Sequence, residues 1–269
     1  MLNKIIKVLI IIIGGIIIVS FLVGIGVLVI DRVYNEVYTT KCNVKVIELQ
    51  GTISTFKESA EDFTVLSSDI VSQIEEADSN EDIKAIVLSI DSTGGYAIAG
   101  EEVAKALINS SKPTIALIHV FGDSAAYLAA TGADKIFASK YSDVGSIAVT
   151  QSYTDNVIYN EKEGYTFNQL TSGKYKNIGS SDKPLTPDEK NLLMRDINIM
   201  HEDFVKDVAA NRNLDIVKVR QLADGSSMLG QMAKDKGLVD EIGGLADVKA
   251  YIGGIINEKA VICSHINDN

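Results

Sequence analysis

Residues 83–130 read IKAIVLSIDSTGGYAIAGEEVAKALINSSKPTIALIHVFGDSAAYLAA. This stretch decides the fold class. The runs 83–90 (IKAIVLSI) and 113–120 (PTIALIHV) are nearly continuous in apolar and β-branched residues. Strands buried on both faces, as in a parallel sheet, read in this way. Between them, residues 97–108 carry helical spacing, and 124–130 is a second helix of small residues. Strand, helix, strand, helix in this order predicts an α/β fold with right-handed crossovers.

The pattern continues outward. Residues 44–49 (VKVIEL) read as a strand, and 60–77 as a helix, with Phe63, Leu66, Ile70 and Ile74 three or four apart. Residues 135–138 (KIFA) predict a short strand. A long helix is predicted over 186–211, opened by Thr186-Pro187-Asp188-Glu189, a capping box with Pro at the first helical position. Shorter helices follow at 215–223 and 244–251.

The N-terminus is of another kind. Residues 8–30 hold no charge and one hydroxyl, Ser20. At about 1.5 Å per residue this run spans roughly 35 Å, enough for a bilayer core of about 30 Å. Lys4 and Lys7 precede it and Asp31 and Arg32 follow. Positive charge on the short N-terminal side predicts a cytoplasmic N-terminus and everything after residue 32 outside the cytoplasm. A cleaved signal peptide is the rival reading. It calls for a shorter apolar region and a small-x-small cleavage site, which the following Asp-Arg-Val-Tyr-Asn does not supply. The expected organisation is a cytoplasmic tip and transmembrane anchor over 1–32, a connector over 33–42, a catalytic-sized domain over 43–253 and a C-terminal tail over 254–269.

Composition excludes several classes. The 269-residue chain carries 25 Lys and Arg against 36 Asp and Glu, a net charge of −11. An acidic chain without a basic cluster is a poor nucleic-acid binder, because phosphate contacts need cations. Two cysteines, Cys42 and Cys263, make neither a disulfide framework nor a zinc site. His119, His201 and His265 are scattered, so no metal site is expected and no cofactor is called for.

Two glycine- or serine-bearing turns carry the candidate chemistry. Asp91-Ser92-Thr93-Gly94-Gly95-Tyr96 joins a buried strand to a helix. Paired glycines there let backbone N–H groups face an oxyanion, though many α/β turns use glycine for steric reasons alone. Phe121-Gly122-Asp123-Ser124-Ala125-Ala126-Tyr127 places Ser124 at a helix N-terminus beside the C-terminal edge of the sheet, where open α/β sheets hold their sites. Ser124 reads either as an N-cap or as a nucleophile. No histidine is well placed to serve it. A lysine kept neutral by burial can act as base instead. Ser172-Gly173-Lys174-Tyr175-Lys176-Asn177 offers two, although lysines in a polar turn are ordinarily solvated.

The order D-S-T-G-G, then G-D-S-A-A-Y, then A-D-K-I, G-S-I and S-G-K-Y-K resembles the SppA-type signal peptide peptidases. The late stretch 223–244, ADGSSMLGQMAKDKGLVDEIGG, resembles the closing signature of that family. The resemblance covers roughly residues 43–253. It implies a Clp protease and crotonase-like spiral of repeated β-β-α units. It implies Ser124 as nucleophile, Lys176 as base, an oxyanion hole from the N–H groups of Gly95 and Ser124, and Ser146 orienting the lysine. It further implies a ring of protomers and peptide substrates such as cleaved signal peptides left in the membrane. Asp91 stands where the family has Asn, and Ala125 and Ala126 where it has two glycines. A catalytically inactive membrane-tethered scaffold is the alternative function. A crotonase-like acyl-CoA enzyme is a further one, disfavoured by an extracytoplasmic location and by the anchor.

Overall fold

The computed structural model describes residue 15, residues 23–27, 42–57 and 63–263. The chain divides into two units, 1–42 and 43–269. The expected transmembrane run 8–30 lies outside the described residues, save Gly15 and 23–27, which are helical. Among the described residues no helix is long and apolar enough to cross a membrane.

The second unit is built on a sheet of seven strands. Its path runs β1 (Val44–Gln50), β4 (Ala85–Ser92), β5 (Thr114–Asp123), β6 (Lys135–Ala138) and β9 (Glu241–Ile242), all pairs parallel. Beyond the end of β6, strand β7 (Asp143–Gly145) pairs with the far half of β5, and β8 (Ser227–Leu229) runs antiparallel to β7. A separate parallel pair joins β2 (Thr52–Ser54) to β3 (Thr64–Leu66). The apolar runs of β4 and β5 are explained by their central place: seven of the eight β4 residues are buried.

Alternation along these strands separates two cores. Ile86, Leu88 and Ile90 of β4 face the helices α1 (Ser67–Ser79), α2 (Ala97–Asn109) and α3 (Ala125–Thr131). Ala85 and Val87 face the opposite way, against Val248 and Ile252 of the last helix, α8 (Leu245–Ile256). Tyr127 of α3 is fully buried, and its hydroxyl donates to Leu238 O at 2.9 Å. Burial pushes that phenol above its ordinary pKa.

The sequence pattern and the structure differ at several points. The helix expected over 60–77 begins only at Ser67, because residues 64–66 pair with β2 and Phe63 stands exposed. Strand β5 runs on to Asp123, three residues beyond its apolar run, because β7 offers it new hydrogen-bonding partners. The stretch expected as a tail is in part structural. Asn43 and Val44 N–H donate to Val261 O, and Cys263 N–H to Val44 O. Neither cysteine is free, since Cys42 and Cys263 are both disulfide-bonded. Helix α5 (Pro187–Asn211) has both halves of its capping box, between Thr186 and Glu189. Between α3 and α5 lies α4 (Val157–Lys162), and after α5 come α6 (Ile216–Leu222) and α7 (Gly230–Lys236).

Candidate active site

Strand β5 changes partners just before Ser124. Ile90 of β4 pairs with Ile118, but the next pair is Ser92 with Gly122, so β5 carries extra residues between them. That irregularity turns His119, Val120 and Phe121 out to solvent. Asp91 Oδ1 secures the bend by accepting from Phe121 N–H at 3.2 Å. Past it, β5 pairs with β7 as Phe121 with Asp143, Gly122 with Val144 and Asp123 with Gly145.

Ser124 follows with φ 52 and ψ −125, and α3 begins at the next residue. A non-glycine residue held in this region costs on the order of 1–3 kcal/mol, and such strain gathers at functional sites. The N-cap reading of Ser124 does not hold. Its side chain makes no capping hydrogen bond, and its backbone is not in the extended region that a cap adopts. Among the described residues its hydroxyl makes no capping hydrogen bond at the end of the sheet.

Of the two glycines of the first turn, Gly94 lies against this serine and Gly95 against β2. A Cβ on Gly94 would lie 2.8 Å from the Ser124 Cβ and 3.1 Å from the Ala125 nitrogen, at φ +105. A Cβ on Gly95 would lie 2.1 Å from Ile53 O. Ile53 N–H donates to Gly94 O and Ile53 O accepts from Tyr96 N–H, at 3.0 and 2.9 Å. In a parallel bridge those bonds use the residues flanking Gly95, so the N–H of Gly95 itself turns away from β2.

The N–H of Ser124, assigned to the oxyanion hole by resemblance, points elsewhere. It donates to Gly145 O at 2.8 Å, extending the β5–β7 ladder by one bond. In this structure that donor is engaged by Gly145 O. The next N–H, that of Ala125, belongs to the first turn of α3, where N–H groups lack intrahelical acceptors. It sits against Gly94.

Ser146 follows the carbonyl that Ser124 engages. Its φ is 48, its N–H donates to Ser226 O at 3.1 Å and its hydroxyl donates to Gly225 O at 3.2 Å. Thus the structure brings Ser124, Gly94, Gly95 and Ser146 to one edge of the sheet.

It does not bring Lys176 there. Lys176 lies in an exposed turn, and among the described residues no hydrogen bond joins it to Ser124 or Ser146. Lys174 is ion-paired with Asp188 at 2.7 Å and stands 4.9 Å from the Tyr175 ring centre. The Asp188 carboxylate, then Tyr175, holds its ammonium above the ordinary lysine range. A lysine so held is no base. The histidines are engaged elsewhere: Ser89 Oγ and His119 Nε2 are 3.1 Å apart, and His201 Nε2 lies 3.0 Å from Ala223 O. His265 lies outside the described residues.

One residue beside the nucleophile escaped the sequence pattern. Asp123 is only 7% exposed, and its Oδ1 has no hydrogen-bond partner among the described residues. Burial first, and the charge of Asp143 second, push its carboxyl up to about 6. The signal in sequence was only its adjacency to Ser124; its burial needs β7.

A parallel α/β sheet with a strained serine at the strand-to-helix turn fits the Clp protease-like fold. Solved structures agree on the fold. A ClpP1 variant from Listeria monocytogenes superposes with TM-score 0.51 over 80% of this chain and 98% of that one, at 15% identity. A membrane-bound stomatin-specific protease variant gives TM-score 0.54 over 85% of this chain and 95% of that one, also at 15% identity. The pattern of peptidase family S49 matches residues 106–252, and the chain belongs to that family. A Methanocaldococcus jannaschii protein, provisionally named a protease, is 35% identical over 175 residues, 64% of this chain and 56% of that one. The chloroplastic serine protease SPPA of Arabidopsis thaliana is 29% identical over 209 residues, 76% of this chain and 31% of that one. The chain thus spans little more than half the length of the first relative and under a third of the second.

Proposed function

We propose that this chain is a membrane-anchored serine endopeptidase with a Ser124–Lys176 dyad, acting on remnant signal peptides or other membrane-proximal peptides. The observation that carries the reading is Ser124 itself, strained at φ 52, without a side-chain cap bond and packed against Gly94. Neutral Lys176 takes the Ser124 hydroxyl proton as Oγ attacks the peptide carbonyl. The tetrahedral oxyanion is received by the N–H groups of Gly95 and Ala125, the latter replacing the committed N–H of Ser124. Collapse expels the amine, which takes the proton back from the lysine. Water, deprotonated by the same lysine, then releases the acyl group. Ser146 orients the lysine amine beside Ser124.

The lysine reaches Ser124 from a second copy in a homo-oligomeric ring. Two features support this. The segment that bears Lys176 exposes Ile158, Tyr159, Tyr165 and Leu170. Helix α5 leaves Met194, Ile199 and Met200 partly exposed. Apolar side chains left exposed on a helix offer a further surface to meet. The uncharged run 8–30 supports an anchor with the catalytic unit outside the cytoplasm.

The test is cleavage of a signal-peptide sequence by the full chain in detergent. The wild type should cut it and take a fluorophosphonate label on Ser124, and Ser124→Ala should do neither. A Ser124→Ala variant that cleaves at the wild-type rate refutes the assignment. Protease added to intact cells should digest the chain beyond about residue 33; full protection would reverse the topology.

A further inference from the structure

The Ser124 site contains a charge that the proposed mechanism does not use. Asp123 shares a peptide bond with Ser124 and is more than nine-tenths buried, with one carboxylate oxygen unpartnered among the described residues. The β5–β7 register pairs Asp123 with Gly145 and Phe121 with Asp143. Residues two apart on a strand share a face, so the Asp123 and Asp143 carboxyls lie on the same side of the sheet.

Among the described residues no cation is paired with either carboxyl. Strand β7 presents Asp143, and β8, Ser227–Leu229, carries no ionisable group. On the β4 side the charged group is Asp91, already engaged by Phe121 N–H. The turn 92–95 and helix α3 contain no charged residue. On β5 itself the ionisable group is His119, exposed and bonded to Ser89. A buried carboxylate without a partner is costly, so a chain that keeps one needs a reason outside packing.

Distance supplies the reason. A general base must stand within about 3 Å of the Ser124 hydroxyl. Consecutive Cα atoms are about 3.8 Å apart, and with the reach of both side chains added any base in that position stands within about 13 Å of the Asp123 carboxyl. Asp123 is itself buried, and a charge buried in protein acts over such distances more strongly than one in water.

We infer that Asp123 is a positioning residue of the active site, whose buried negative charge holds the lysine base in its ammonium form and thereby sets the alkaline pH at which the peptidase works. The inference rests on the Ser124–Lys176 reading and adds a group that touches neither substrate nor hydroxyl. With its carboxyl pushed up to about 6, Asp123 is ionised throughout the range in which a lysine deprotonates. The anion favours the charged lysine, so the pH at which neutral lysine becomes available moves upward.

The experiment follows fluorophosphonate labelling of Ser124 in the full chain in detergent, from about pH 5 to about pH 10. Wild type, D123N and D123A are compared, with thermal melting to verify that each is folded. The wild-type rate should rise along one alkaline limb. In both variants the limb should move to lower pH by about one unit, so that labelling at a fixed pH on the limb is up to about tenfold faster. A purely structural role would scale the rate at every pH and leave the limb in place. A limb unmoved, or moved to higher pH, in a folded variant overturns the inference and spares the Ser-Lys reading. A flat wild-type profile overturns both.

Discussion

The backbone N–H of Ser124 donates to the carbonyl of Gly145 at 2.8 Å. This one bond ties the candidate nucleophile to the strand that leads into Ser146, and it removes the Ser124 N–H from the set of free donors. The mechanism proposed above therefore assigns the oxyanion to the N–H groups of Gly95 and Ala125. The strained φ of Ser124 follows from the same bond, since the residue closes the β5–β7 ladder and opens α3 at once.

Gly94→Ala should abolish Ser124 labelling by about 100-fold or more, because a misplacement of about 1 Å at a reacting centre has that effect. The new methyl would meet the Ser124 Cβ at 2.8 Å, and φ +105 disfavours any side chain. Gly164→Ala is the control. Its φ is +78, but nothing lies within 4 Å of the added methyl. It should cost about 1 kcal/mol in thermal melting and leave labelling unchanged. Equal effects of the two substitutions would remove Gly94 from the site.

Lys176→Ala and Lys176→Arg should both eliminate peptide cleavage, since arginine stays protonated. Lys174→Ala should retain activity within about twofold, because its ammonium is held charged by Asp188 and its ion pair is exposed. Initial cleavage rates decide the matter. An essential Lys174 beside a dispensable Lys176 would reverse the assignment.

Ser124→Ala and Lys176→Ala proteins, each inactive, should regain partial cleavage when dissociated together and reassembled. Complementation requires that serine and lysine meet across two copies. Mixed oligomers that remain inactive would place each complete site within one chain.

Asp123 should also mark the pH dependence of stability. Its folded pKa, about 6, stands above the ordinary 3.8 of an aspartate. The folded state therefore binds the proton more tightly than the unfolded one. Its stabilising share is fully present below about pH 4 and is lost as pH rises through about 6. D123N removes this dependence. The variant should gain up to about 3 kcal/mol relative to wild type between about pH 4 and about pH 7, measured by denaturation at both. A constant difference across that range would show that the carboxyl does not titrate as placed.

Much of the architecture was legible in the chain. The runs at 83–90 and 113–120 announce central parallel strands because both of their faces are covered, and a strand covered on both sides must be apolar at nearly every position. The Thr186 capping box was equally plain, since all of its partners lie within four residues. Strands β2, β7, β8 and β9 were not legible. They have two or three residues each and are strands only because neighbours from distant segments bond to them.

The candidate site divides along the same line. Sequence by itself determined which residues could do chemistry: a serine at a strand-to-helix turn, a glycine pair after the preceding strand, two lysines in a later turn. Only the tertiary structure decided how their donors and charges are disposed. It committed the Ser124 N–H to Gly145, ruled out the N-cap role of Ser124, and charged Lys174 through Asp188. It also buried Asp123 beside the nucleophile without a partner. The physical reason is range. Strand and helix periodicity and capping are local and can be read within a few residues. A hydrogen bond between strands and the desolvation of a carboxyl depend on groups that are distant in sequence, and they exist only once β7 has folded against β5.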